Sequence, residues 1–391
     1  MNYKKKICVV TTSRAEYGLL YWFLKFAKKD KEIKLQLVVT GSHTSLDYGM
    51  TKNIIINDKF KIDKQFDLEL NNDSVDGIIN STSIAMTKFS NAFTSLKPNI
   101  IILLGDRYEL LAASYAALVN RIPIAHFHGG ETTEGAIDES IRHAISKMSH
   151  IHLVSNEKYR KRVIQLGENP KSVHLVGGMG IENIKKLKFL QKNKLEKILK
   201  FTFGKKNILI TFHPVTHEIN TSKKHITNII NAIKEFKDIK FIFTMPNADT
   251  DNKIISENIK GYVLQNSNNS VYFINMGQLN YLSSLKYVDA VLGNSSSGIL
   301  EAPSFKIGTI NIGDRQKGRV RSKSTIDCDC DKDSIVKSIN KLYSKSFIKK
   351  LRDVNNPYDY GKSAYRSLQI IKKTKLHDIV KKPFFDIFHK Y

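Results

Sequence analysis

Near-continuous apolar runs recur along this chain, each followed by a longer amphipathic stretch, and that alternation restricts it to one class of fold. Ile7–Thr11, Leu35–Thr40, Ile100–Leu104, Ile122–Phe127, Ile151–Val154 and Val173–Val176 read as strands. Between several of them, Tyr17–Lys29, Ser81–Leu96, Tyr108–Asn120, Glu139–Met148 and Glu157–Leu166 carry helical periodicity. A strand that is apolar on both faces needs cover on both faces. Helices inserted between successive strands supply that cover and make the connections parallel crossovers. The predicted class is α/β with doubly wound parallel sheets.

The pattern restarts after Gly177-Gly178-Met179-Gly180 and a Lys-rich helix. New strands at Asn207–Thr211, Ile239–Thr244, Val271–Ile274, Ala290–Gly293 and Thr309–Ile312 alternate with helices at Lys223–Phe236, Asp251–Ile259 and Gln278–Leu285. The 391 residues are enough for two hydrophobic cores. Two Rossmann-like domains are predicted, residues 1–178 and 179–360. A C-terminal helix within 361–391 is expected to pack back on the first. Ligands of such folds bind outside the carboxyl ends of the strands, and a crevice between two such domains is the expected site.

The formal charge of +25 raises the question of nucleic acid. A nucleic-acid binder clusters Lys and Arg against phosphates. Here the lysines are spread through the chain, and the richest run, Lys185–Lys200, has helical spacing. The charge therefore reads as solvated helix faces whose field draws small anions, and no nucleic-acid partner is expected. No apolar run approaches the roughly 18 residues that span a bilayer. The apolar run after the basic start is only Ile7–Val10, too short for an export signal. No membrane partner and a cytoplasmic location are expected. Cys8, Cys328 and Cys330 lack disulfide or zinc spacing and read as structural.

Chemistry-bearing residues gather at the strand ends. Gly105-Asp106-Arg107 follows one apolar strand, and His126-Phe127-His128-Gly129-Gly130-Glu131 ends another. Asp138-Glu139-Ser140-Ile141-Arg142-His143 comes next, with Asp138 on the loop or at a helix N-cap. Carboxylates near bound phosphate acquire shifted pKa values and can act as acid and base. Thr11-Thr12-Ser13-Arg14 feeds a helix start and suits an anion, with Arg14 as a charged fork. Gly293-Asn294-Ser295-Ser296-Ser297-Gly298 suits a diphosphate, with Glu301 one turn on, placed for ribose hydroxyls. His213, held extended before Pro214, and Arg315 and Arg319 after the last strand complete the polar strand ends. His126-x-His128 suits a metal only if the strand has already ended there. No metal site and no cofactor are expected.

Taken together, these motifs resemble the UDP-N-acetylglucosamine 2-epimerase family over about residues 1–375, most closely its hydrolysing branch. The carriers are Thr12–Tyr17, Gly105–Arg107, His128–Glu131, Ile137–Ala144, His213–Val215, Gly293–Ser296 and Gly313–Gln316. The resemblance implies a GT-B architecture of two Rossmann-like domains with the active site in the interdomain cleft. It implies a UDP-linked sugar as substrate, with UDP contacts from Arg14, Arg107, His213, Asn247, the backbone near Met276, Ser295, Ser296, Glu301 and Arg315. It also implies proton removal at C2, anti elimination of UDP and hydration of the resulting 2-acetamidoglucal.

Within that resemblance Asp106 and Asp138 match acid/base carboxylates. His128 stands where the family often has a glutamate, so His128 or Glu131 takes that task. The resemblance implies GlcNAc or a 2,4-diacetamido-6-deoxy relative as the sugar, on the way to sialic or legionaminic acid, and the substitution at His128 points to the second of these, on the route to legionaminic acid. The family also implies a homo-oligomer, dimer or tetramer. A non-hydrolysing epimerase, which would return a UDP-linked product, and a glycosyltransferase of the same fold are the enzymatic alternatives. A basic nucleic-acid-binding protein is the alternative from another class.

Overall fold

The computed structural model describes the chain apart from residues 1–3, 47–48, 71–73, 135–136, 215–220, 247–251 and 388–391. It divides into two units, each built on a parallel sheet. The first comprises Met1–Thr132, Ala136–Asn183 and Tyr360–Tyr391, the second Thr133–Gly135 and Ile184–Asp359.

In the first part of the chain the elements are β1 (Lys5–Thr11), α1 (Arg14–Lys29), β2 (Ile33–Val39), α2 (Lys52–Asn57), β3 (Lys64–Gln65), α3 (Val75–Leu96) and β4 (Ile100–Leu104). They continue with α4 (Tyr108–Val119), β5 (Ile124–Phe127), α5 (Ile137–Met148), β6 (Ile151–Val154), α6 (Glu157–Gln165), β7 (Val173–Leu175) and α7 (Met179–Lys186). The sheet order is β3-β2-β1-β4-β5-β6-β7, and every pairing is parallel.

Strand alternation divides the core of this unit into two layers. Ile7, Val9, Ile100, Ile102 and Leu104 face Leu20, Phe23, Leu24 and Ala27 of α1. Cys8, Val10, Ile101 and Leu103 face Ala85, Phe89 and Phe93 of α3 and Leu110 and Ala113 of α4. All five β4 residues are buried, each contributing roughly 1.5–3 kcal/mol relative to exposure. No polar alternation is possible in a strand covered on both sides, which is why its sequence is wholly apolar.

The second part contains α8 (Lys192–Leu199), β8 (Lys206–Thr211), α9 (Ser222–Ile233), β9 (Ile239–Thr244), α10 (Asn252–Gln265), β10 (Ser270–Phe273) and α11 (Gln278–Ser284). It continues with β11 (Ala290–Gly293), α12 (Ser296–Leu300), β12 (Gly308–Ile312), β13 (Thr325–Cys328), α13 (Lys332–Leu342) and α14 (Lys345–Arg352). The sheet order is β10-β9-β8-β11-β12-β13, again all parallel.

The chain then returns to the first unit. Helix α15 (Ser363–Lys373) lays Ala364, Leu368 and Ile371 into the same layer as α1. Lys5 Nζ caps its last turn through the carbonyls of Ile371, Lys372 and Thr374 at 2.7–2.9 Å. Further on, Lys382 Nζ binds the carbonyls of Lys147 and Ser149 and both oxygens of buried Glu168. Phe384 seats against Gly167, where a Cβ would lie 2.3 Å from its ring.

In both sheets the strand order reverses beside the first strand of the sheet, between β1 and β4 and between β8 and β11. These are topological switch points, where the loops leaving adjacent strands diverge and leave a crevice at their carboxyl ends. The loops there are Thr11–Arg14 with Gly105–Arg107, and Thr211–Pro214 with Gly293–Ser296. At Gly293 (φ +133) a Cβ would lie 1.9 Å from the Thr211 carbonyl oxygen, so only glycine lets β11 leave the sheet this close to β8.

Two element boundaries correct the sequence reading near these loops. Helix α5 starts at Ile137, so Asp138 lies in its first turn and not on the preceding loop. Helix α1 starts at Arg14, capped by Ser13, because Glu16 closes a box with the residues before it. The Ser13 hydroxyl accepts from Glu16 N–H at 3.4 Å, and Glu16 carboxylate oxygens accept from Thr12 N–H and hydroxyl at 2.8–3.0 Å.

Candidate active site

The carboxyl ends of β4, β5 and β6 bring together a set of acids around one guanidinium. Arg142, on α5 and only 2% exposed, ion-pairs with Asp106 and with Glu139 (2.8 Å), and donates to the Glu131 carbonyl at 2.8 Å. Such fork geometry suits arginine, whose donors diverge in one plane. Asp138 neighbours this cluster. Burial pushes its carboxyl above the ordinary aspartate range, and the negative charge of Asp106 adds to the shift. The two aspartates thus sit in different electrostatic surroundings, one paired and one crowded.

His128 follows β5 in the left-handed region at φ +65, which ends the strand and re-aims the side chain. Its Nδ1 lies 3.2 Å from Glu131 Oε1, and its Nε2 lies 3.5 Å from the Met179 N–H. Ser155 donates to Glu131 Oε1 at 2.6 Å. Sequence reading set His128 and Glu131 as alternatives; the structure makes them partners. His126 is still within β5 and faces Gly105 and Ser146, so the two imidazoles do not converge. Among the described residues no group of three His, Cys, Asp or Glu is arranged to hold a metal.

Arg107 bonds Glu109 through Nε and Nη2 at 2.8–3.2 Å, with Glu109 fully buried. Beside it, burial pushes Glu16 up to about 7, against the pull of the Arg107 charge. Arg14 opens α1 as its first residue.

In the second unit, His213 follows β8 and is held by its own backbone. Its N–H donates to Asn294 Oδ1, and Asn294 Nδ2 donates back to its carbonyl, both at 2.8 Å. Burial, with the Arg315 charge added, holds the His213 imidazole down to about 4, so it is neutral at physiological pH. The Asn294 carbonyl accepts from Arg315 (3.1 Å) and Gln316 (2.9 Å), which gathers His213, Asn294 and Arg315 at the ends of β8, β11 and β12.

Ser295 caps α12, accepting from Ser297 N–H, and Ser296 is the first residue of that short helix. Ser297 donates to Glu301 Oε2 at 2.5 Å and contacts Tyr281 Oη at 2.5 Å. Burial raises the Glu301 carboxyl. Met276 is buried ahead of α11, its carbonyl accepting from Asn280 at 2.8 Å. Asn247 lies outside the described residues.

Arg142, Glu139, Ser155, Glu109 and Asn294 were not marked as site residues from sequence. Arg142 and Glu139 sat inside a quoted motif, and the signal available was an arginine one helical turn after two acids. Asn294 also sat inside a quoted motif, but nothing local showed its partner 81 residues away, and nothing local marked Ser155, whose partner lies 24 residues away.

Comparison with known proteins gives a consistent result. Residues 25–372 match the family model described as UDP-N-acetylglucosamine 2-epimerase. The chain is 43% identical over 344 residues, 88% of its length and 89% of the relative's, to the GDP/UDP-N,N'-diacetylbacillosamine 2-epimerase (hydrolyzing) of Campylobacter jejuni. It is 41% identical to the polysialic acid biosynthesis protein P7 of Escherichia coli, over 98% of each chain. In fold it is similar to the Neisseria meningitidis UDP-GlcNAc 2-epimerase solved with UDP-GlcNAc, with a TM-score of 0.81, 19% identity, and coverage of 94% of this chain and 100% of that one.

Proposed function

Because the chain belongs to the UDP-N-acetylglucosamine 2-epimerase family, we propose that it is a hydrolysing UDP-sugar 2-epimerase of nonulosonic acid biosynthesis. It removes the C2 proton of a UDP-linked 2-acetamido sugar and expels UDP by anti elimination. Water then adds across the 2-acetamidoglucal, a proton going to C2 and hydroxyl to C1, to release the free manno-configured sugar. The two relatives support the hydrolytic outcome and the pathway.

One observation carries the residue assignment: Arg142 ties Asp106 to the Glu131 backbone while Asp138 stands beside them with a raised carboxyl. Inversion at C2 requires a proton to leave one face and return on the other, so two groups in unlike environments are needed. Asp106, ion-paired with Arg142, is assigned the base. Asp138, which keeps its proton to higher pH, is assigned the acid. His128 takes the place of the family glutamate, with Glu131 orienting its ring through Nδ1. The departing UDP is a dianionic leaving group stabilised by positive and hydrogen-bonding groups. Arg14, Arg107, His213, Asn247, the Met276 backbone, Ser295, Ser296, Glu301 and Arg315 are assigned to it. The three free cysteines accord with a cytoplasmic setting.

Incubation with UDP-GlcNAc in heavy water, followed by NMR, tests the proposal. Free UDP, free N-acetylmannosamine and deuterium at C2 are expected. Retention of the C2 proton during turnover would exclude the mechanism. Asp106→Asn and Asp138→Asn are each expected to lower kcat by at least about 10²-fold. The Campylobacter relative favours a second reading of the sugar, a UDP-linked 2,4-diacetamido-6-deoxy hexose. The same assay run on both sugars separates the two, the larger kcat/KM naming the substrate.

A further inference from the structure

His126 has no part in the proton transfers above, yet it is completely buried and bonded at both ring nitrogens. Its Nε2 lies 2.8 Å from the Gly105 carbonyl oxygen, and its Nδ1 lies 3.1 Å from Ser146 Oγ. A carbonyl can only accept, so Nε2 carries the proton and Nδ1 accepts from the serine hydroxyl. The tautomer is fixed by its partners. Burial holds the ring down to about 3, so it stays neutral and the donor–acceptor order persists through the physiological range.

Both partners lead to Asp106. Gly105 sits at φ +98, and the direction of its carbonyl sets the plane of the Gly105–Asp106 peptide, hence the direction in which Asp106 leaves β4. Ser146 is four residues after Arg142 on α5, one turn along the same face, and Arg142 grips the Asp106 carboxylate. A closed circuit results, running from Gly105 through Asp106, Arg142, one turn of α5, Ser146 and His126 back to Gly105. Space around it is tight. A Cβ at Gly129 would lie 2.8 Å from Ser146 Oγ and 3.2 Å from His126 Nδ1.

We propose that His126 is a positioning residue for the elimination, clamping the Asp106 backbone to helix α5 so that the carboxylate presents one orientation to the C2 proton. The proposal rests on the assignment of Asp106 as the base. It explains why a histidine, able to donate from one ring atom and accept at the other, stands in a strand whose other residues are apolar.

His126→Phe keeps the ring volume and removes both bonds. Its kcat is expected to fall about 10²-fold, the order that a misplacement near 1 Å produces, with KM changed less than about threefold. His126→Gln supplies an N–H for Gly105 and an oxygen for Ser146, and is expected to recover kcat to within about tenfold of the parent. Ser146→Ala opens the circuit at its other joint and serves where His126→Phe does not fold. It is expected to lower kcat about tenfold at unchanged KM. Thermal unfolding followed by circular dichroism accompanies each variant.

Parental kcat in His126→Phe, or in Ser146→Ala if that is the variant that folds, would overturn the proposal. So would a loss in His126→Phe that merely tracks the folded fraction and that glutamine fails to rescue. Asp106→Asn separates the two layers of argument. Full turnover in that variant would refute the assignment of Asp106 itself, whereas an inactive Asp106→Asn beside an unimpaired His126→Phe would refute only the clamp.

Discussion

The side-chain amide of Asn294 is paired with the main chain of His213 from both of its ends, at 2.8 Å each. Two loops, each leaving a central strand of the second sheet, are thereby held as one piece. The relationship involves the backbone of His213 and not its imidazole. Asn294→Ala removes two buried hydrogen bonds and is expected to lower stability by about 2–3 kcal/mol, read as a smaller urea midpoint at unchanged slope. His213→Ala, which keeps the backbone pair, should lower stability far less while raising KM. Equal stability losses in the two variants would contradict the division of roles.

Arg142 serves three acceptors from one buried guanidinium. Arg142→Met leaves Asp106 and Glu139 without their cation and should lower stability by about 3–5 kcal/mol. Arg142→Lys retains the charge, but a single ammonium cannot span the set, so folding should survive and kcat fall by about 10²-fold. Coupled detection of UDP release measures the second effect. A lysine variant with parental kcat would show that the charge alone matters.

Acid should loosen this protein through its buried histidines, against the opposing contribution of Glu16, whose carboxyl burial raises to about 7. Burial holds His43, His150 and His213 down to about 4 and His126 to about 3, all below the ordinary 6.5. Between pH 6.5 and 4 the unfolded chain binds protons that the folded chain refuses, so stability rises with pH across that window and is lost as pH falls through it. Each such group contributes a slope of up to about 1.4 kcal/mol per pH unit. Glu168 acts lower. Although burial opposes it, hydrogen bonds from His152, Lys382 and Lys147 bring it down to about 2, so its contribution stands above pH 4.5 and disappears as pH falls toward 2. Urea midpoints measured from pH 7.5 to 4.5 should decline with acid, and a flat series would contradict the burial of these rings as neutral groups.

Gly293 is expected to tolerate no side chain. Gly293→Ala places a Cβ against the Thr211 carbonyl at a backbone angle that L residues avoid, and should either abolish soluble expression or lower stability by more than about 3 kcal/mol. Gly261→Ala, in α10 with nothing within 4 Å of the added carbon, is the control and should be neutral or mildly stabilising. Similar thermal midpoints for the two variants would refute the close approach of β8 and β11.

Which elements could be read from sequence follows from how they are covered. β4, β6, β9 and β11 were placed to the residue, because strands covered on both faces are apolar but for single positions such as His152 in β6 and Lys240 in β9. β13 escaped notice: it is an edge strand whose Thr325 and Asp327 face outward, which leaves no apolar run. The start of α3 was missed by six residues because Asp76 and Gly77 are weak helix formers, and what starts the helix is a cap from Ser74 to the Gly77 N–H. At the candidate site the acids and imidazoles stood out as groups a loop does not need. Their supports did not. Glu109 reads as an ordinary helix acid until Arg107 is seen to bond it, and Ser146 as an ordinary helix serine until His126 is placed.

The return of α15 and of Lys382–Phe385 to the first sheet bears on the order in which the protein is made. When the ribosome has delivered β1 to β7, Leu20, Phe23, Leu24 and Ala27 still lack the cover of Ala364, Leu368 and Ile371, and Glu168 still lacks Lys382. The whole second unit must be translated before that cover exists. The nascent first unit therefore carries an open apolar seam for longer than the second does, and it is the half most in need of chaperone protection during synthesis.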